Sequence, residues 1–258
     1  MLKENLKDWL KELHLPTIRK GYQELAQKAE KEGVTYEEYL GWLAQEEIEN
    51  RREKRVARKL HESKIPSQKT IENFNMDRLP INLSRQIKSL LKGELLKNRE
   101  NLLIFGSPGS GKTHLLCGIG QHFIQEHRSR IYYTNSTKLM QELLDAKTKY
   151  QLPKMIKKLT SYDALIIDDI GYIEQSKEEV EVLFTLISES YEKTSILLTS
   201  NLPFSKWDKI FKDPMITVAA IDRLIHHSIV LEMNVDSYRL EESKRKQTKK
   251  NAVLEDQK

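Results

Sequence analysis

The sequence predicts an α/β fold, with a parallel five-stranded sheet between helices, preceded by a small all-α N-terminal domain. Short β-rich runs alternate with helical segments after residue 100, which is typical of a parallel sheet covered on both faces. The first 64 residues instead hold a single proline and are dense in Leu, Glu, Lys and Arg. The predicted strands are Leu102–Phe105, Ile131–Thr134, Leu165–Asp168, Ile196–Ser200 and Ile229–Leu231.

A domain boundary is predicted close to residue 66. Apolar residues from Tyr36 to Leu43 recur at helical spacing, and the same helix then becomes basic. Between Arg51 and Lys64 there are seven cations and two glutamates. Ile65-Pro66-Ser67 is a helix stop signal. The predicted domains are 1–66, helical with a basic C-terminal helix, and 67–242, α/β, followed by a polar, disordered tail at 243–258.

Composition limits the function classes. A single cysteine, Cys117, excludes an internal disulfide, and the histidines lack the spacing of a zinc site. No apolar run approaches the ~20 residues that span a bilayer, and the N-terminus lacks a secretory apolar block. We therefore expect a cytoplasmic protein without membrane contact. The net charge of +5 favours a polyanionic partner, although a solvated lysine-rich surface has the same composition.

The strongest motif is a phosphate-binding loop between a predicted strand and a predicted helix. Its glycines let successive N–H groups face phosphate oxygens at the start of the helix. Lys112 is expected to meet the β- and γ-phosphates of ATP, and the Thr113 hydroxyl to ligate Mg²⁺. The loop residues are Gly106, Ser107, Pro108, Gly109, Ser110, Gly111, Lys112 and Thr113.

Polar residues also follow two of the later predicted strands. Asp168 and Asp169 end an apolar run, so they are expected at the edge of the sheet where α/β folds place ligands. We expect Asp168 to hold Mg²⁺ and Asp169 to orient or deprotonate the attacking water. Asn201 follows another strand and either contacts the γ-phosphate or water, or simply begins a turn. Arg223, by pattern alone, either pairs with Asp222 or faces solvent.

Taken together, these residues resemble the IstB family, within the AAA+ helicase-loader clade. The phosphate loop is generic, but the combination and order of the motifs are specific and cover nearly the whole chain. The motifs that carry the resemblance are Tyr39-Leu40, Arg51-Arg52, Lys69 to Phe74, Gly106 to His114, Leu165 to Tyr172, Leu198 to Asn201, Asp222-Arg223-Leu224 and Ser237 to Leu240.

The resemblance implies roles that the spacing does not show. Asn201 becomes the sensor-1 residue, and Arg223 an arginine finger that reaches the nucleotide of a neighbouring subunit. His114 extends the nucleotide-binding loop, and Arg239 reads nucleotide or supports structure. Many AAA+ proteins carry Glu at the position of Asp169, so the shorter side chain here implies closely held water or slow turnover.

The resemblance also implies contact with duplex DNA without strong sequence preference. The segment from Ser136 to Thr160 is rich in lysine and resembles the insertion that lines a nucleic-acid channel in initiator-type AAA+ proteins. Phosphate contacts of this kind supply affinity rather than base readout. Each single lysine can equally be a solvated surface residue. The candidate DNA-binding residues are Arg51, Arg52, Arg55, Arg58, Lys138, Lys147, Lys149, Lys154, Lys157 and Lys158.

The sequence therefore favours an ATP- and Mg²⁺-dependent ATPase that assembles into an oligomer on target DNA and assists an IstA-type transposase. DNA and self-association are expected to stimulate hydrolysis. No three-carboxylate nuclease constellation is evident, so strand transfer is assigned to the partner. Two alternatives stay open, a replicative helicase loader and an ATP-gated DNA scaffold with little turnover.

Overall fold

The computed structural model describes residues 2–170, 176–203, 206–207, 222–235 and 237–238, with side chains from residue 5 onward. The chain folds into two compact units, residues 1–58 and residues 59–258. Within the described residues, no helix combines the length and apolar character that crossing a membrane requires.

The first unit is helical. Helix α1 spans Leu2–Glu12, α2 spans Pro16–Glu32, and α3 spans Tyr36–Ser63 and so continues into the second unit. Gly33 ends α2 in the left-handed conformation and donates its N–H to Ala29. The predicted N-terminal helical region is therefore confirmed.

The second unit contains a parallel sheet with strand order β2-β3-β4-β1-β5. The predicted five-stranded parallel sheet is confirmed. Because β4 pairs with both β1 and β3, the carboxyl ends of these strands meet at one edge. The strands are β1 Asn101–Gly106, β2 Ile131–Asn135, β3 Ala164–Ile170, β4 Ser195–Ser200 and β5 Ser228–Met233. The helices are α4 Ile81–Leu90, α5 Glu94–Lys97, α6 Lys112–His127, α7 Ser136–Thr148, α8 Leu152–Leu159 and α9 Lys177–Ser190.

The core lies on both faces of the sheet. Leu102, Leu103 and Ile104 of β1 are all fully buried, as expected for a central strand of a parallel sheet. Cys117 of α6 is also buried, and this burial raises the pKa of its thiol to about 12. Cys117 is therefore a packed core residue whose thiol is protonated at neutral pH.

The connector that precedes the sheet, residues 65–80, is attached to helix α6. Gln121 donates two hydrogen bonds from its Nε2, to the carbonyls of Pro66 at 2.9 Å and Lys69 at 3.0 Å. A Cβ at Gly118 would lie 2.8 Å from the backbone nitrogen of Ile71. The glycine therefore allows the connector backbone to approach the helix closely.

We predict that Gly118→Ala lowers the free energy of unfolding by about 1–3 kcal/mol, because the new methyl group overlaps with backbone atoms. The matched control is Gly41→Ala on α3, where an added Cβ meets no described atom within 4 Å. That change is expected to stabilise by about 0.5–1 kcal/mol through helix propensity. Urea unfolding followed by circular dichroism measures both, and equal effects of the two changes would contradict the close approach.

Candidate nucleotide-binding and hydrolysis site

The loop between β1 and α6 curls around the side chain of Lys112. Its Nζ donates to the carbonyls of Gly106 at 2.8 Å and Ser107 at 2.9 Å. Gly109 and Gly111 have φ angles of 82° and 99°, which side chains other than glycine rarely adopt. Gly111 also precedes the first residue of α6, so the N–H groups of the loop and of the helix start lie together. The loop has the form that phosphate binding needs.

Other segments approach the glycines of this loop so closely that a side chain would not fit. A Cβ at Gly106 would lie 2.5 Å from the carbonyl oxygen of Met233, and one at Gly109 would overlap with Ser237. The Gly109 carbonyl accepts a hydrogen bond of 3.0 Å from the backbone N–H of Tyr238. Residues 237–238, after β5, therefore lie against the phosphate loop.

His114, the residue after Thr113, contacts the connector. Its Nε2 lies 3.0 Å from the carbonyl oxygen of Thr70, and its ring meets the edge of Phe74 at a centroid distance of 5.5 Å. Phe74 itself lies beside Gly111, 3.2 Å from where a Cβ would be. A direct contact between the His114 side chain and nucleotide therefore stays a prediction.

Asp168 is a buried carboxylate that accepts hydrogen bonds from three hydroxyl groups. Thr113 donates to Oδ1 at 2.9 Å, Thr199 to Oδ1 at 2.6 Å, and Tyr133 to Oδ2 at 3.0 Å. These donors come from α6, β4 and β2, so three elements orient one side chain. Burial, and then the negative charge of Asp168, raise the pKa of the Tyr133 phenol, which keeps it a donor at neutral pH.

The Thr113 and Asp168 oxygens are suited to Mg²⁺. Magnesium prefers oxygen ligands and is commonly held by one or two carboxylates together with substrate phosphates and water. Among the described residues no cluster of three His, Cys, Asp or Glu side chains could form an all-protein metal cage. The Thr113 hydroxyl and the Asp168 carboxylate suit a metal that takes its remaining ligands from phosphates and water.

Asp169 lies beside the buried acid in an unusual backbone conformation. Its φ angle is 64°, in the left-handed region that side chains other than glycine seldom occupy. Its Oδ1 accepts a hydrogen bond of 2.9 Å from Nδ2 of Asn201, so the two predicted residues are brought together. Burial and the adjacent charge of Asp168 raise the pKa of the Asp169 carboxyl above its ordinary value.

Arg223 lies away from the phosphate loop of its own chain. It is in the short helical stretch at residues 222–226 that precedes β5, and its guanidinium covers the ring of Phe184 at 5.1 Å. Its Nη1 donates to the Ser188 hydroxyl at 2.5 Å. The start of β5 pairs with Asn101. The phosphate loop begins at the other end of β1, five residues or roughly 16 Å away. Arg239 lies outside the described residues.

The predicted DNA-binding residues on α3 have different surroundings. Arg51 is bound within the helical unit, because its Nε lies 2.8 Å from Oε1 of Glu47 and its Nη2 donates to the carbonyl of His14. Glu47 in turn accepts the backbone N–H groups of Thr17 and Ile18 at the start of α2. Arg51 therefore supports this unit. The other cations of the set are exposed: Arg52, Arg55 and Arg58.

The predicted cations of α7 and α8 form two groups. Lys147 has an ion pair of 2.8 Å with Glu181, and Lys138 one of 4.0 Å with Glu142. The remaining four are exposed, and three of them line a groove of about 650 Å³ together with Lys64. These four are Lys149, Lys154, Lys157 and Lys158. The structure thus places a basic surface on α8 and the turn before it.

The fold is similar to those of solved replication proteins. The chain superposes on the DnaC helicase loader with a TM-score of 0.54 and 17% identity, over 66% of this chain and 98% of that one. On AMPPCP-bound DnaA from Aquifex aeolicus the TM-score is 0.53 with 22% identity, over 67% of this chain but only 52% of the DnaA chain. Together, the fold and the loop define a protein with an AAA+ phosphate-loop fold.

The chain belongs to the family of IstB-like ATP binding proteins, whose family model matches residues 8–247. It is 41% identical to an insertion sequence ATP-binding protein of Sinorhizobium fredii, over 89% of this chain and 77% of that protein. It is 32% identical to the ATP-binding protein of insertion sequence IS5376 from Geobacillus stearothermophilus, over 96% of this chain and 98% of the relative. The resemblance found in the sequence is confirmed.

Two residues at this site were given no role from the sequence, namely Tyr133 and Thr199, although Thr199 lies within the motif Leu198 to Asn201. Both have hydroxyl groups that bond to Asp168, and both lie on the strands that flank β3, Tyr133 in the middle of β2 and Thr199 near the carboxyl end of β4. A search for hydroxyl residues on the strands next to the acidic strand would have found them. Such a search requires the order of the strands in the sheet, which a single sequence does not give.

Proposed function

We propose that this protein binds ATP with Mg²⁺ at the loop Gly106–Thr113 and hydrolyses it when assembled on duplex DNA. By this cycle it assists a partner transposase of the IstA type. The observation that carries the proposal is the arrangement of Asp168 and Asp169 at the sheet edge, beside the phosphate loop. Asp168 hydrogen-bonds Thr113 and Asp169 hydrogen-bonds Asn201, as the parts of an ATP hydrolysis site require.

Each side chain has a distinct part in the proposed reaction. Lys112 exchanges the carbonyls of Gly106 and Ser107 for phosphate oxygens. Thr113 and Asp168 hold the metal, which when bound offsets the charge of the phosphates. Asp169 accepts the proton of the attacking water, and the raised pKa of its carboxyl improves it as a base. Asn201 orients Asp169 and the water.

Arg223 is proposed to act on the nucleotide of a neighbouring subunit. It lies at the opposite end of β1 from the phosphate loop of its own chain, so it does not reach its own site. An arginine supplied from another subunit commonly accelerates phosphoryl transfer by ~10³ or more. Hydrolysis would then depend on self-association, and DNA would stimulate it by promoting assembly.

DNA binding is proposed for the exposed cations. Four lysines of α8 and the preceding turn, from Lys149 to Lys158, face solvent, and Arg52, Arg55 and Arg58 are exposed on α3. Contacts of these side chains with phosphates would bind DNA without reading its sequence. The transposase role is supported by membership of a family whose relatives are named for insertion sequences.

The alternatives differ in partner and in turnover. A helicase loader is suggested by the likeness to DnaC, but at 17% identity that likeness concerns the fold, while the more similar relatives are insertion sequence proteins. Capture of purified replicative helicase instead of transposase by the immobilised chain would favour the loader. An ATP-gated scaffold would bind ATP and DNA with little turnover. A steady-state turnover measurement with and without duplex DNA excludes or supports this alternative.

We predict that Asp169→Asn lowers DNA-stimulated ATP turnover by about 10²-fold or more, because the base is lost while the hydrogen-bonding shape is kept. ATP binding is expected to persist. A coupled phosphate-release assay measures turnover, and a fluorescent ATP analogue measures binding. The control Asp8→Asn replaces an exposed carboxylate on α1 and should turn over like the parent. Unchanged turnover in Asp169→Asn would refute the assignment of the base.

For Arg223→Ala we expect normal ATP binding and a loss of DNA-stimulated turnover of about 10²–10³-fold. Mixing it with Lys112→Ala should restore activity, since one variant supplies the intact loop and the other the intact arginine. The matched control is Arg85→Ala on the exposed surface of α4. Absence of complementation in a mixture that still assembles, as judged by gel filtration, argues against action between subunits.

Replacement of Lys154, Lys157 and Lys158 by Gln should weaken duplex binding equally for unrelated sequences. The slope of log affinity against log salt should fall by up to about 0.9 for each lost phosphate contact. Fluorescence anisotropy over a salt series measures both quantities. The same triple change at exposed Lys88, Lys92 and Lys97, on and near α4 and α5, removes an equal charge and should leave the slope unaltered. Equal losses in both variants would mean that only net charge matters.

A further inference from the structure

The pairing of β3 with β4 is interrupted at the two acids. Ile167 lies opposite Leu198, and the next pair is Ile170 opposite Ser200. Asp168 and Asp169 together therefore face one residue, Thr199, which is the arrangement of a β-bulge. A bulge of this kind locally redirects the side chains of its strand.

The Thr199 hydroxyl links the two residues of the bulge. It accepts a hydrogen bond of 2.8 Å from the backbone N–H of Asp169, and it donates one of 2.6 Å to Oδ1 of Asp168. Thr199 is fully buried. A hydroxyl can donate one hydrogen bond and can also accept. Thr199 therefore uses its one donor on Asp168 and an acceptor site on the N–H of Asp169.

The left-handed backbone of Asp169 is supported from both sides. Its N–H is bonded to Thr199, and its carbonyl accepts a hydrogen bond of 2.7 Å from the hydroxyl of Ser136. A non-glycine residue persists in this conformation only when its surroundings impose it. In this conformation the carboxylate meets Nδ2 of Asn201.

We propose that Thr199 is a positioning residue for ATP hydrolysis, which holds the backbone of Asp169 so that its carboxylate lies beside Asn201 and the attacking water. This inference rests on the proposed ATPase function and extends it to a residue that does not touch nucleotide. Loss of the Thr199 hydroxyl would displace the Asp169 carboxylate. Because a displacement of about 1 Å in a reacting group can lower the rate ~10²-fold, the loss acts mainly on the chemical step.

Loss of Thr199 has unequal consequences for the two acids. Asp168 keeps the hydroxyls of Tyr133 and Thr113, so the metal-binding carboxylate stays in place. Asp169 instead loses the acceptor of its backbone N–H. The expected signature is therefore a reduced kcat with nearly unchanged binding of ATP and Mg²⁺.

The test compares three variants of the full chain with duplex DNA present. Thr199→Val keeps the side-chain volume and removes the hydroxyl, whereas Thr199→Ser keeps the hydroxyl. Ser195→Ala is the control, since Ser195 is equally buried on β4 and its hydroxyl has no hydrogen-bond partner among the described residues. Turnover gives kcat and KM, a fluorescent ATP analogue gives Kd at several Mg²⁺ concentrations, and thermal unfolding checks the fold.

We expect Thr199→Val to lower kcat by about 30-fold or more with Kd for the analogue within about threefold of the parent, as a misplaced base requires. Thr199→Ser should keep kcat within about threefold, and Ser195→Ala should match the parent. If Thr199→Val does not fold, Thr199→Ala against Thr199→Ser applies the same criterion.

The inference is overturned if Thr199→Val retains the parental kcat, if kcat and ATP affinity fall in parallel, or if Thr199→Ser is as inactive as Thr199→Val. A parent protein that binds ATP and DNA without turnover is a different result, because it overturns the ATPase proposal itself and with it the inference.

Discussion

The buried carboxylate of Asp168 is the group on which the arrangement of the site depends. An ionised carboxylate removed from water is costly unless hydrogen bonds replace its hydration. Here three hydroxyl groups do so, from Thr113, Tyr133 and Thr199, and hydrogen bonds to charged groups contribute about 1.5–3 kcal/mol each. These donors lie on α6, β2 and β4. The hydrogen bonds that replace the hydration of the carboxylate therefore also hold the phosphate loop, the bulge and the flanking strands close to Asp168.

A second constraint is the closeness of backbone segments around the phosphate loop. Gly106 meets the carbonyl of Met233, Gly109 meets Ser237, and Gly111 meets Phe74. The loop therefore touches the connector before the sheet, the end of β5 and residues 237–238 after it.

A single chain does not bring all the predicted catalytic residues together. Lys112, Asp168, Asp169 and Asn201 meet at the carboxyl edge of the sheet, whereas Arg223 lies at the amino edge. Parallel strands place their two ends at opposite edges, so this separation follows from the fold. The proposed dependence of hydrolysis on assembly has its physical basis here.

The amino-acid sequence by itself determined the fold class, the five strands, the phosphate loop and the pair of acids. These are local signals, since an apolar run, a glycine spacing or a helix stop depends on residues close together in the chain. The family was likewise evident from the order of the motifs. Only the tertiary structure decided that Arg51 bonds the carbonyl of His14, that Asp169 adopts a left-handed conformation, and that Thr199 links both acids. These features depend on strand order and on contacts between residues some thirty or more positions apart, or on a local bulge, and spacing along the chain does not encode them.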